Sequence, residues 1–227
     1  MTTSEGQNRF LGIKDQDSKK GVFINCPFDD GYKDIFEAIV FTTIFCGFEP
    51  RCSKENNTSS QNRLSKIFEL IENCHIGIHD LSEIGLSDGV YPRFNMPLEL
   101  GLFQGAKFFG EGEHQNKVFL ILDKNPHSYK ITTSDLSGFD AKHHNGKVDE
   151  AIKQVRDFLY GSLETTESEN IAGAKYIFDR FNKFKTYAAE ELPTKGKTFD
   201  EVRQNFNEMR AYMKFWISKI NALSSNS

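Results

Sequence analysis

The sequence predicts an α/β protein: a doubly wound parallel sheet followed by a C-terminal helical extension. Three observations predict it. Short apolar runs alternate with stretches whose apolar residues recur at helical spacing, the pattern of βαβ units. The composition is globular, with 38% apolar and 26% charged residues in a chain of 227. From Glu164 onward the alternation stops and two long helical patterns take over.

The elements follow in order. Residues 1–20 are polar, of mixed charge, and read as a flexible arm. Gly21 to Cys26 is a short apolar run ended by Pro27, in the manner of a buried parallel strand. Tyr32 to Cys46 carries Ile35, Phe36, Ile39, Val40 and Ile44 at helical spacing, and Gly47 ends it. Phe48 to Cys52 reads as a second strand. A polar loop, Lys54 to Ser60, precedes a helix whose apolar face is Leu64, Ile67, Phe68 and Ile71. His75 to Asp80 is a third strand running to a carboxylate, residues 83–94 are loop, and a helix covers about Met96 to Phe109. Val118 to Leu122 is the clearest strand. A weak strand near Phe139 to His143 and a helix from Val148 to Leu163 complete the α/β part, residues 21–163. Residues 164–227 read as a helical hairpin, Ile171 to Leu192 and Phe199 to Leu223, split by Pro193-Thr194-Lys195-Gly196. Its aromatic stripe (Tyr176, Phe181, Phe184, Phe206, Phe215, Trp216) reads either as a packing face or as an interface for self-association or a partner.

Several function classes fall away. A net charge of −4 does not suit a binder of duplex nucleic acid working by bulk electrostatics. No apolar run approaches the ~20 residues of a membrane span, and the first residues hold no apolar signal core. Cys26, Cys46, Cys52 and Cys74 form no CxxC pair and no metal spacing with the histidines, so they read as buried free thiols in a reducing, cytoplasmic setting. Neither GxGxxG, nor GxxxxGK[ST], nor GxSxG occurs. No metal site and no cofactor are expected.

In a parallel sheet with helices on both faces, ligands bind outside the carboxyl ends of the strands, where the strand order reverses. That rule selects the loops 25–32, 51–60 and 80–99. The most informative run is Arg93-Phe94-Asn95-Met96-Pro97-Leu98-Glu99-Leu100-Gly101. A helix beginning near Asn95, with Asn as N-cap, puts Glu99 in the first turn at the sheet's rim. A carboxylate there can act as a base or stabilise positive charge at an anomeric carbon. It can equally just complement the helix dipole. Asp80 can hold a sugar hydroxyl or catch a helix N-terminus. Asn25, Pro27 and Phe28 end the first strand and can meet a base or sugar; Arg93, like Arg51, can meet phosphate. His75 and His79 read as core or edge residues, and His143-His144 as surface.

In order and spacing, Val22-Phe23-Ile24-Asn25-Cys26-Pro27-Phe28, then His79-Asp80-Leu81-Ser82, then the helix Asn95 to Lys107 with its Leu98-Glu99-Leu100-Gly101 core, resemble the TIR-like and nucleoside 2-deoxyribosyltransferase-like superfamily. The resemblance covers about residues 20–125, more loosely to 163. It departs at Arg93-Phe94-Asn95-Met96-Pro97, where the transferases usually carry Gly-Thr. It implies a flavodoxin-like (TIR-like) sheet and cleavage of an N-glycosidic bond at Glu99. In TIR-like enzymes the substrate is NAD, and bacterial members commonly act in anti-phage defence. On that reading Asp80 and Asn95 hold ribose, and Phe28 and Arg93 line the pocket. Two alternatives stay open: a nucleoside N-glycosidase or 2-deoxyribosyltransferase, and a non-catalytic nucleotide-sensing or protein-binding module.

Overall fold

A computed structural model describes residues 20–55, 62–82, 84, 86–87, 91–92, 94–126, 128–163 and 171–224. Five strands form one sheet: β1 (Gly21–Asn25), β2 (Glu49–Arg51), β3 (Ile76–Asp80), β6 (Val118–Asp123) and β7 (Lys142–His143), in the order β2-β1-β3-β6-β7. Every pairing is parallel. Between β3 and β6 sits a small antiparallel hairpin, β4 (Leu86–Ser87) with β5 (Tyr91–Pro92), in a stretch read from sequence as plain loop. Strands of two residues are too short to leave a periodic signal.

The helices are α1 (Lys33–Phe45), α2 (Arg63–Asn73), α3 (Asn95–Phe109), α4 (Tyr129–Thr132), α5 (Val148–Gly161), α6 (Ala174–Thr194), α7 (Phe199–Gln204) and α8 (Phe206–Ser224). The strands sort their side chains by the period of two. Val22, Ile24, Ile76, Ile78, Leu120 and Leu122 face α1 and α5. Phe23 faces the other way, toward Ile67, Leu70 and Ile71 of α2 and Phe103 of α3. Both sheet faces are therefore covered by helices, as the run-like strands require.

The C-terminal segment is three helices rather than two, because the chain leaves helical geometry at Asn205 (φ −101°, ψ 104°). Thr198 and Glu201 form a reciprocal capping box at the start of α7. Pro193 lies inside the last turn of α6 rather than beyond it; the turn that follows uses Gly196 at φ +68°. The aromatic stripe packs inward. Phe41 of α1 meets Phe181 at 5.3 Å, Phe184 at 5.6 Å and Trp216 at 6.0 Å between ring centroids. One apolar core thus runs from the sheet through α1 and α5 into α6 and α8. Tyr176 and Phe215 remain about half exposed.

The four cysteines are buried and free, as their apolar neighbours indicated. Among the described residues no helix is long and apolar enough to cross a membrane.

Candidate active site

Chain order in the sheet reverses between β1 and β3: from β1 the chain moves outward to β2, then returns past β1 to β3 and continues the other way. The crevice at this reversal lies beyond Asn25 and Asp80, the last residues of the two strands. Asn25 pairs in register with His79. Its side-chain Nδ2 donates to His79 Nδ1 at 3.1 Å and to the Met96 carbonyl at 2.9 Å. One amide therefore ties the end of β1 to β3 and to the first turn of α3.

His79 accepts at Nδ1, so its proton sits on Nε2, which has no hydrogen-bond partner among the described residues. The ring is packed among Phe23, Phe103 and Phe119. Burial drives its pKa down to about 3, so it stays neutral. Space for it comes from Gly77: a Cβ there would stand 2.6 Å from His79 Nε2 and 3.1 Å from a Phe103 ring carbon.

Glu99 does not sit where a helix start at an Asn95 cap would put it. The cap position is Phe94, Asn95 is the first helical residue, and the first turn holds no acidic side chain. Leu98 N–H already closes a helical bond onto the Phe94 carbonyl. Glu99 is one turn in, and its side chain is 6% exposed. A dipole-complementing carboxylate at a helix end would be solvated; this one is not. Burial raises its pKa to about 7, partly opposed by Arg63, whose Nη2 lies 3.8 Å from Glu99 Oε1. A carboxyl group poised near neutrality, on the rim where ligands bind in such sheets, is the strongest functional signature on the described chain.

Asp80 is completely buried and fully engaged. Oδ1 accepts the Ser82 N–H at 2.8 Å; Oδ2 accepts the Tyr32 hydroxyl and lies 3.1 Å from His144 Nε2. The Gly146 N–H donates to His144 Nδ1 at 3.1 Å, which leaves the His144 proton on Nε2, facing Asp80. Burial alone would raise the Asp80 pKa, but the bonds from His144, Ser82 and Tyr32 outweigh it and hold it below the ordinary carboxylate value. Ser82 Oγ is also 3.1 Å from His144 Nε2. This is not a hydrolytic triad: serine and aspartate meet the same ring nitrogen, and all three side chains are sealed. His144, read from sequence as surface, is 1% exposed because its ring closes this network.

The other predicted site residues divide. Pro27 is buried and Asn95 is exposed. Phe28 is half-buried with Lys54 Nζ 4.4 Å above its ring. It lines a cavity of about 220 Å³ on the α1 side, with Lys33, Phe36, Glu37, Lys54 and Arg203, whose wall does not include Glu99. Arg51 is held by Glu55 at 2.7 Å rather than left free for phosphate. Arg93, with 56–61 and much of the segment around it, lies outside the described residues. Cys26 sits close enough to Asp80 and Glu99 for both to act on it; burial first, then these carboxylates, push its thiol well above the ordinary value, so it is no nucleophile. Among the described residues no three His, Cys, Asp or Glu side chains gather as metal ligands.

Sequence reasoning missed Tyr32, Ser82, His144 and Arg63. Asp80-Leu81-Ser82 did carry a signal, since Asp commonly accepts the N–H two residues on. Arg63 carried none, because it reaches Glu99 from a different helix. Comparison with known proteins returns no matching family model, no matching curated protein and no matching solved structure.

Proposed function

We propose that the protein is an N-glycosidase of the TIR-like kind that cleaves the nicotinamide–ribose bond of NAD, with Glu99 as the catalytic residue. One observation carries the reading: Glu99 is a desolvated carboxylate with a pKa of about 7 at the strand-order reversal. The order of the five parallel strands, 2-1-3-4-5 when they alone are numbered, supports a flavodoxin-like architecture.

Nicotinamide departs neutral from a cationic bond, so its loss needs no acid. What needs help is the oxocarbenium-like sugar, and a carboxylate in a dry, low-dielectric site stabilises it far better than one in water. Water then adds to the anomeric carbon and gives its proton to Glu99, leaving ADP-ribose. In this reading Asn95, Phe28 and Arg93 supply substrate contacts. Asn25 and Asp80, whose hydrogen bonds run within the protein, hold the rim in place. Activity would serve antiviral defence, with a regulatory partner on the C-terminal helices, whose exposed Tyr176 and Phe215 offer an aromatic surface.

Incubation with NAD tests this. The wild type should release nicotinamide at a rate that rises as pH passes 7, and Glu99→Gln should lose about 10²–10³-fold. Absence of release from wild type at pH 8, at high protein concentration, overturns it. The same pKa also favours a second reading, a nucleoside N-glycosidase or 2-deoxyribosyltransferase. A neutral purine leaves more readily when an acid protonates it, and a carboxyl group with a pKa of about 7 can serve. Base release from deoxynucleosides that falls above pH 7 would select that reading.

A further inference from the structure

Helix α3 departs from the one-sided pattern of an ordinary surface helix. Its inner face buries Met96, Leu100 and Phe103. Its outer face is also apolar: Phe94 at the cap is 71% exposed, Leu98 55%, Phe108 57% and Phe109 89%. Between them Gly101 and Gly105 have open space where a Cβ would stand. Residues 94, 98, 101, 105 and 108 are three or four apart, so they form one stripe. The helix has only two ionisable side chains, Glu99 and Lys107. Glu99 is buried, and Lys107 Nζ is turned onto the carbonyls of Gln115 and Lys117. Helix α3 itself therefore puts no solvated charge on the stripe; the nearest one is Arg63 of α2, at Glu99.

We propose that this stripe is a two-fold interface with a second copy of the chain, α3 packing antiparallel on α3. A closed two-fold contact requires a patch that complements itself. With the axis at the level of residue 103, Leu98 of each copy faces Phe108 of the other, and Gly101 faces Gly105. The glycines let the two backbones approach, while the large residues at each end close over them. Leu64 and Phe68 of the adjoining α2 add further exposed surface, at 40% and 50%. Taking ~200 Å² for a whole phenylalanine, the six side chains expose about 700 Å² per copy. Two copies would thus cover roughly 1,400 Å², within the range of stable interfaces, and the ~700 Å² on each copy slightly exceeds the apolar patch an ordinary monomer leaves open. The contact also brings Phe108 of the second copy beside Leu98, next to Glu99. The interface itself stands on the stripe's geometry, whatever reaction Glu99 performs.

Light scattering coupled to size exclusion tests it on the full chain. The wild type should move from one chain's mass, 25.9 kDa, to twice that as concentration rises. Phe108→Asp combined with Phe109→Asp, at exposed positions that leave the core intact, should hold it at one chain while circular dichroism and melting temperature stay unchanged. Mild oxidation of a mixture of Gly101→Cys and Gly105→Cys proteins should cross-link it more than either protein alone. A wild type that remains at one chain's mass, whether because residues 1–19 or another protein occupy the stripe, overturns the proposal. So does a dimer that survives the double aspartate variant, or one that cross-links best as Gly101→Cys alone.

Discussion

Arg63 Nη2 stands 3.8 Å from Glu99 Oε1, yet the two side chains live in different media: 61% of the arginine's surface is open and 6% of the carboxylate's. The pair is thus a solvated cation at the lip of a dry anion. Screening by water weakens the attraction, and desolvation wins, which is why the Glu99 pKa rises despite a cation within reach.

Removing that cation should push the Glu99 titration higher still. Arg63→Gln is expected to shift the pH midpoint of nicotinamide release upward and to leave the rate at the alkaline plateau little changed. A midpoint that moves down, or does not move, would show that Arg63 does not act on this carboxylate.

The same burial sets a dependence of stability on pH. The folded Glu99 pKa, about 7, exceeds its ordinary 4.5, so the folded state holds the proton more tightly. Its contribution to stability is complete below about pH 4.5 and is lost as pH rises through 7. Shifts of this size correspond to roughly 3 kcal/mol. Glu99→Gln should therefore be more stable than wild type at pH 8 and nearly equal to it at pH 4.5, by urea unfolding at both values. A gain in stability when Glu99 is neutralised would be the cost of holding a carboxylate out of water.

Asp80 acts with the opposite sign. Its folded pKa is depressed, so its contribution is present above the ordinary value of 3.8 and lost as pH falls through the folded value. His144→Ala withdraws one donor and leaves a buried charge short of a partner, costing about 2–4 kcal/mol at pH 7. Denaturant titration of this variant should show that loss at pH 7 and a smaller one at pH 3. An equal loss at both would mean that only packing was removed.

Gly77→Ala should cost about 1–3 kcal/mol by forcing the His79 ring against Phe103. Because the closest clash is with the His79 ring, the loss should shrink when His79→Ala is made in the same chain. Additive losses would place the strain on Phe103 or the backbone instead.

The sheet was legible because its longer strands are largely apolar and short, and helices such as α2 and α5 bury one face at a clean 3.6-residue period. Glu99 was legible for a different reason: a lone carboxylate between Leu98 and Leu100 is conspicuous in an apolar helix. The rest of the Asp80 network was not, since Tyr32 and His144 come from distant segments that only the fold brings to Asp80. The break at Asn205 was hidden because apolar residues keep helical spacing on either side of it.

Of the four rings Phe41 touches, three come from beyond residue 170. A gene fragment ending at Leu163 would strip this side of α1 bare, presenting a greasy surface that a ribosome-fresh chain cannot hide. Such a fragment should accumulate as inclusion bodies, and trimming toward a minimal folded unit has to stop short of the last three helices.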